Sequence, residues 1–309
     1  MVARKGLEKF VQSVRGIRWR IPGLARSAAP STAPSLGLAL GGGFARGIVH
    51  VGVLKVLEQE GIPVRYVAGT SVGALIGAAY CSGVSPAELE QLASRVRFRD
   101  LASWTLSRYG FATNQRMIAF LDKVLKVHTF EELEIPLAVT ATDFASGEGI
   151  VFRSGPLNDA VRASCAYPGV FLPVKVNGRM LVDGMLAHSL PTKPVRDMGA
   201  DKVLAVSLRS CWNNNDGPRH IFDVIGQCFS IAQAQNCASA RQFADLLIEP
   251  DVTEYRYDDF EHSAAMVAIG EQLARAALPE IRKWFEPVSR HAVLRAPIMA
   301  SAPDLASPK

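Results

Sequence analysis

At 309 residues the chain can form one large domain with a deep core, or two modest ones. With 49% hydrophobic and 20% charged residues it is not a globally disordered chain. The net charge of +5 is uneven: residues 1–34 hold seven Lys or Arg against the single Glu8, so residues 35–309 sum to about −1, and composition gives no push toward a nucleic-acid partner.

The five cysteines, Cys81, Cys165, Cys211, Cys228 and Cys237, are scattered, odd in number and show no CxxC pair. That argues against a disulfide framework and a zinc site and fits a reducing compartment. The basic N-terminus has no apolar run of signal-peptide length, so the expected location is cytoplasmic.

In the head segment, Leu7, Phe10, Val11, Val14, Ile17 and Ile21 recur at helical spacing among cations, which predicts a short basic amphipathic helix. Such a helix suits an anionic membrane face, so residues 1–25 are a candidate peripheral membrane contact. The Pro/Ala/Ser-rich residues 26–35 read as a linker. The expected division is a head and linker over 1–35, a folded α/β domain over 36–295 and a loose tail over 296–309.

The apolar run Leu36–Leu40, ending in three glycines, reads as a buried strand. Residues 48–57 follow a helical period, and Gly61 and Pro63 end that helix. Residues 64–68 make a second strand and Val72–Cys81 an Ala- and Gly-rich helix. The whole stretch 66–84 is apolar enough to suggest a membrane span, but four glycines and three serines or threonines interrupt it; it reads as strand, sharp turn and helix. Ser85, Pro86 and Glu88 occupy the N-cap, N1 and N3 positions of the next helix. This alternation implies parallel strands.

Residues 97–130, with Trp104, Tyr109, Phe111 and Phe120 among charges, have weak periodicity and suit a lid or a pair of short helices. Strands are predicted at 137–142, 150–152, 180–182 and 203–207, with Asn177-Gly178 marking a hairpin turn. Helical patterns cover 219–244 and 262–285. Residues 97–130 and 211–260 are expected to shape any substrate pocket.

Three elements carry chemistry. Gly69-Thr70-Ser71-Val72-Gly73 is a G-x-S-x-G between a predicted strand and a predicted helix, the setting of a nucleophile elbow. Read otherwise, it is a packing turn with a buried serine. The glycine loop Gly41-Gly42-Gly43-Phe44-Ala45-Arg46-Gly47 also joins a strand to a helix, and its amides suit an oxyanion or a phosphate. It lacks the Gly-Lys-Ser/Thr of a nucleotide loop, and the next strand ends in the G-x-S-x-G instead of an acidic residue. Arg46 suits an oxyanion, a lipid phosphate or a plain ion pair. Asp183-Gly184 closes the strand at 180–182, as a catalytic carboxylate or an ordinary turn. His188, His220, His262 and His291 come late enough to serve a Ser–Asp–His triad, but none sits in a recognisable loop motif; His50 reads as a packing or capping residue inside the first helix.

Taken in order, these elements closely resemble the bacterial patatin-like phospholipase family, from about Leu36 to Asp201. The stretch from Arg162 through Ser164, Cys165 and Tyr167 to Pro173 is similar to the family's segment before its aspartate. The resemblance implies a three-layer α/β/α fold with a mainly parallel central sheet. It implies a serine acyl hydrolase cleaving fatty acyl esters of phospholipids, lysophospholipids or neutral lipids through an acyl-enzyme, without metal or cofactor. Ser71 would be the nucleophile, Asp183 the base, and the loop at Gly41, Gly42, Gly43 and Arg46 the oxyanion hole, with Gly69 and Gly73 shaping the elbow. Met185 departs from the small residue expected after Asp-Gly, and residues 186–191 depart from the usual Asn-rich stretch. These departures keep open a catalytically weak relative that binds a lipid or a protein as a regulator.

Overall fold

The computed structural model describes residues 33–107, 110–208 and 221–286. The predicted head helix, the tail from 296, Tyr109, Cys211, His220 and His291 lie outside them. In chain order the strands are β1 (Leu36–Leu40), β2 (Val64–Thr70), β3 (Ser103–Ser107), β4 (Gly110–Thr113), β5 (Leu137–Asp143), β6 (Gly149–Phe152), β7 (Val174–Val176), β8 (Arg179–Asp183), β9 (Lys202–Val206) and β10 (Leu246–Ile248). The helices are α1 (Val49–Gln59), α2 (Val72–Cys81), α3 (Pro86–Arg95), α4 (Phe98–Leu101), α5 (Arg116–Val124), α6 (Leu157–Ser164), α7 (Thr192–Arg196), α8 (Ile221–Ala240) and α9 (Ser263–Phe285). The stretch 66–84 is strand, elbow and helix, and among the described residues no helix is long and apolar enough to cross a membrane.

The main sheet runs β10-β9-β1-β2-β5-β8-β7, with β6 also on β5. Its pairs from β10 to β5 are parallel, and β6, β7 and β8 are antiparallel additions. One face presents Leu36, Leu38, Leu40, Val67, Val139 and Leu204 to a large core shared with α1, α2, α3 and α9. The alternate residues Ala39, Ala68, Ala138 and Ala205 present small side chains to α7 and the end of α8. Large residues on one face and alanines on the other let helices cover both sides of the sheet.

Several local signals act as the sequence indicates. Ser85 and Glu88 form a reciprocal capping box at the start of α3. Asn177 and Gly178, at φ 50° and 81°, make the tight turn between β7 and β8. Residues 97–130 are neither simple lid nor helix pair: α4 is one turn, β3 and β4 form a separate hairpin, and α5 follows.

The crossing of α1 and α9 is close because glycines face backbone there. A Cβ at Gly52 would lie 2.0 Å from the Val267 carbonyl oxygen, and one at Gly270 would lie 2.2 Å from that of Val49. Gly52→Ala is therefore expected to destabilise the fold by about 1–3 kcal/mol or more, the range for overpacked cores. A fall in Tm or in the urea midpoint reads it out.

Candidate active site

The register of β5 brings the two candidate catalytic residues together. Along β5, Thr140 pairs with Thr70 of β2 and with Val151 of β6, and the next residue, Ala141, pairs with Ile150 of β6 and Asp183 of β8. With β6 holding one edge, β2 and β8 share the other, end against end. Ser71 follows Thr70 and Asp183 ends β8, so two residues 112 positions apart in sequence meet.

The Ser71 hydroxyl donates to Asp183 Oδ2 at 2.7 Å, with no imidazole between them. Ser71 sits at φ 55°, ψ −124°, a strained conformation for a non-glycine residue, between the end of β2 and the first turn of α2. The flanking glycines are required by close approach. A Cβ at Gly69 would lie 2.4 Å from the Gly73 carbonyl oxygen, and one at Gly73 would lie 2.2 Å from that of Leu40. The Ser71 amide donates to Ser164 Oγ at 2.7 Å, which ties the elbow to the end of α6.

Asp183 is fully buried. Its Oδ1 accepts the Met185 N–H at 2.9 Å, and its carbonyl accepts from Thr142 Oγ1 at 2.9 Å. Burial pushes its carboxyl up to about 7, against the two hydrogen bonds that favour the charged form. Thr70 and Thr140 hydroxyls lie 2.7 Å apart, and Thr70 also donates to the His188 carbonyl, so the strand ends around the pair are pinned.

The glycine loop needs correcting as drawn from the sequence. The Gly41 N–H donates to the Val206 carbonyl at 3.0 Å, a bond of the fold, and so is turned away from any oxyanion. The Gly42 N–H donates to the Ser189 carbonyl at a longer 3.3 Å, while a Cβ on Gly42 would stand 3.3 Å from Ser71 Cβ, so this residue does border the serine. The Gly43 amide donates to no described group, and Gly43 lines a cavity. Arg46 is also reassigned. It is buried, its Nε donates to the Tyr255 carbonyl at 2.7 Å, and its guanidinium lies 4.2 Å from the centre of the Tyr257 ring. It anchors the 253–257 segment and makes no described contact with Ser71.

The histidines take supporting places. His50 Nε2 donates to the Gly41 carbonyl at 2.8 Å, since a carbonyl only accepts, and burial lowers its pKa to about 4, so the ring is neutral and holds the glycine loop. The backbone N–H of His188 donates to the Gly184 carbonyl, and its ring lies against Gly149. His262 pairs with Asp259 on the surface.

One cavity reaches Ser71, a second lies beside Gly43 and Met185, and the two share Phe44 and Phe98 as walls. The first, about 110 Å³, is walled by side chains such as Leu75, Ala79, Leu89, Leu92, Met117 and Phe171; Ser71 is the one hydroxyl and Cys165 the one thiol in its described wall. Burial, with the Asp183 charge nearby, pushes the Cys165 thiol well above its usual value. The second cavity, about 380 Å³, is walled by Gly43, Trp104, Tyr167, Met185, Phe229 and Gln233 among others. Residues 97–130 contribute to both cavities, and the 211–260 region mainly to the second. Met185 lies over the glycine loop: a Cβ on Gly42 would meet its Cγ at 2.5 Å. Among the described residues no group of three His, Cys, Asp or Glu side chains is placed to hold a metal ion.

The serine on its strained strand-to-helix elbow, its bond to a buried aspartate and the adjoining glycine loop sit on a mainly parallel α/β sheet. The family model described as Patatin-like phospholipase matches residues 38–196, and the chain belongs to the patatin-like phospholipase family. It is 35% identical over 185 residues to an uncharacterised NTE family protein of Mycobacterium tuberculosis, covering 58% of this chain and 50% of that protein. It is 32% identical over 194 residues to human patatin-like phospholipase domain-containing protein 6, covering 60% of this chain and 14% of that one. The chain thus spans about half the length of the mycobacterial relatives it matches. In fold it is similar to VipD from Legionella pneumophila, with TM-score 0.52 and 13% identity over 81% of this chain and 67% of that chain.

Proposed function

We propose that the protein is a serine acyl hydrolase that cleaves fatty acyl esters of phospholipids, lysophospholipids or neutral lipids. The observation that carries this reading is the 2.7 Å Ser71–Asp183 hydrogen bond at the wall of an apolar cavity. A relative from Mycosarcoma maydis, 31% identical over 207 residues, is named a lysophospholipase, which supports the same substrate class.

In this mechanism Asp183 Oδ2 accepts the Ser71 proton as Oγ attacks the ester carbonyl. The Gly43 amide, the Gly42 amide once released from its long bond to Ser189, and the positive end of α2 stabilise the oxyanion; removing one such donor costs about 3–4 kcal/mol in another hydrolase. The intermediate collapses to an acyl-enzyme as the leaving alkoxide takes the proton from Asp183. Water then attacks the acyl carbon, giving its proton to Asp183. The fatty acid departs and the proton returns to Ser71. The 110 Å³ cavity receives the scissile acyl chain and the larger cavity the leaving group. Met185, over the glycine loop, restricts the bulk of what binds there. Turnover of a panel of phospholipids, lysophospholipids and a short-chain p-nitrophenyl ester, with chelator present, tests the reading. No hydrolysis of any of them would favour a lipid-binding regulator instead.

The state of Asp183 sets the pH dependence. Its carboxyl titrates at about 7 and must be ionised to accept the proton. kcat/KM is expected to rise about tenfold per unit as pH climbs toward 7 and to level off above it. A flat profile from pH 5 to 8 would count against Asp183 as the base.

A further inference from the structure

Six large apolar side chains stand exposed among the described residues, and four of them lie on two elements: Trp104 (77%) and Phe111 (50%) on the β3–β4 hairpin, Val224 and Ile231 on α8. In 20 residues α8 carries one acidic residue, Asp223, and no Lys, Arg or His. A surface helix normally puts charges on its outer face, yet on α8 Val224, Cys228 and Ile231 are exposed.

The two elements form a continuous surface at the larger cavity. Trp104 walls it from the hairpin, and Gly226, Phe229, Ser230 and Gln233 from α8. The loop after α6 bridges them: the Leu172 N–H donates to the Ala112 carbonyl at 3.0 Å, and the Tyr167 and Phe229 rings lie 4.7 Å apart. Cations flank the hairpin. Arg97 and Arg99 are exposed on either side of Phe98, whose ring is 6.0 Å from that of Trp104, and the exposed Arg116 donates to the Arg99 carbonyl. The carboxylate of that segment, Asp100, accepts the Arg97 N–H. Exposed aromatics beside exposed arginines match the chemistry of an anionic lipid surface, with rings at head-group depth and cations on the phosphates.

We infer that the β3–β4 hairpin and the outer face of α8 dock the protein on an anionic lipid surface, so that a lipid enters the larger cavity directly from that surface. The inference rests on the acyl-hydrolase reading for its ligand class, but its test does not need turnover. The full-length Ser71→Ala protein is sedimented with vesicles of phosphatidylcholine containing about 30% phosphatidylglycerol, and with phosphatidylcholine alone. Preferential binding to the anionic vesicles is expected. Adding Phe111→Ser, Val224→Ser and Ile231→Ser is expected to cut binding by at least about tenfold, and Arg97→Ser with Arg99→Ser to lower the anionic preference. None of these side chains lines either cavity, so the triple change on the native serine should keep soluble-ester turnover and lose vesicle turnover, which also shows that it folds. Unchanged vesicle binding in the triple variant overturns the inference. So does a dimer that the triple change abolishes in protein that never binds vesicles, which would make the face a contact between two copies. Intact vesicle binding with no ester turnover by the native serine would sink the hydrolase reading and leave the docking face standing.

Discussion

Ser71→Ala is expected to reduce ester turnover at least about ten-thousand-fold, because removing a serine nucleophile leaves only oxyanion stabilisation and binding. The fold should survive. The hydroxyl donates to Asp183 and meets the Cys165 thiol, and the elbow is held by contacts the substitution leaves in place: the Ser71 amide on Ser164 and the two glycines against neighbouring backbone. Relief of a serine at positive φ is not expected, since alanine is no better suited to that region. Circular dichroism and Tm should match the parent while turnover of every substrate falls to background. Turnover persisting at a tenth of the parent rate would mean that another group is the nucleophile.

Asp183→Asn is expected to cut kcat by about 100- to 10,000-fold, the range for removing a general base. Its effect on stability has the opposite sign. Burial holds the carboxyl at about 7 against an ordinary 3.8, so the folded chain binds this proton more tightly than the unfolded one. The stability that this proton confers is fully present below about 4 and is lost as pH rises through about 7. Asparagine is neutral at every pH and its amide oxygen can still accept the Met185 N–H, so the variant should equal the parent in Tm near pH 4 and exceed it by a growing margin up to pH 8. A variant less stable than the parent at pH 8 would show that the ionised carboxylate is a net support of the fold. In the expected outcome function gains from a charge the fold resists, a trade common at catalytic sites.

Much of this site was legible in the chain because its signals are local. The G-x-S-x-G needs small residues where Gly69 and Gly73 meet backbone, and Asn177-Gly178 fixes the turn that returns β8 to the sheet. What local spacing could not reveal is direction. Nothing in the glycine run says that the Gly41 N–H points at Val206, and the partner of Arg46 lies 209 positions away at Tyr255. The Thr70–Thr140–Thr142 hydroxyls act through strand register and Ser164 through the end of α6, and none carries a motif of its own; Ser164 lies inside the family-like stretch without a role attached. The hairpin of β3 and β4 escaped notice because its register shifts between Trp104 and Ser107 and its aromatics face outward, which erases the alternation that announces a half-buried strand.

The most direct measurement is covalent trapping. The full-length protein is treated with a fluorophosphonate carrying an alkyl chain, and the adduct is located by mass spectrometry of the intact chain and its peptides. A single adduct is expected on Ser71, absent from Ser71→Ala, much slower to form in Asp183→Asn, and forming faster as pH rises toward 7. Labelling of a different residue, or ester hydrolysis by a protein whose Ser71 never reacts, would contradict a Ser71–Asp183 acyl hydrolase.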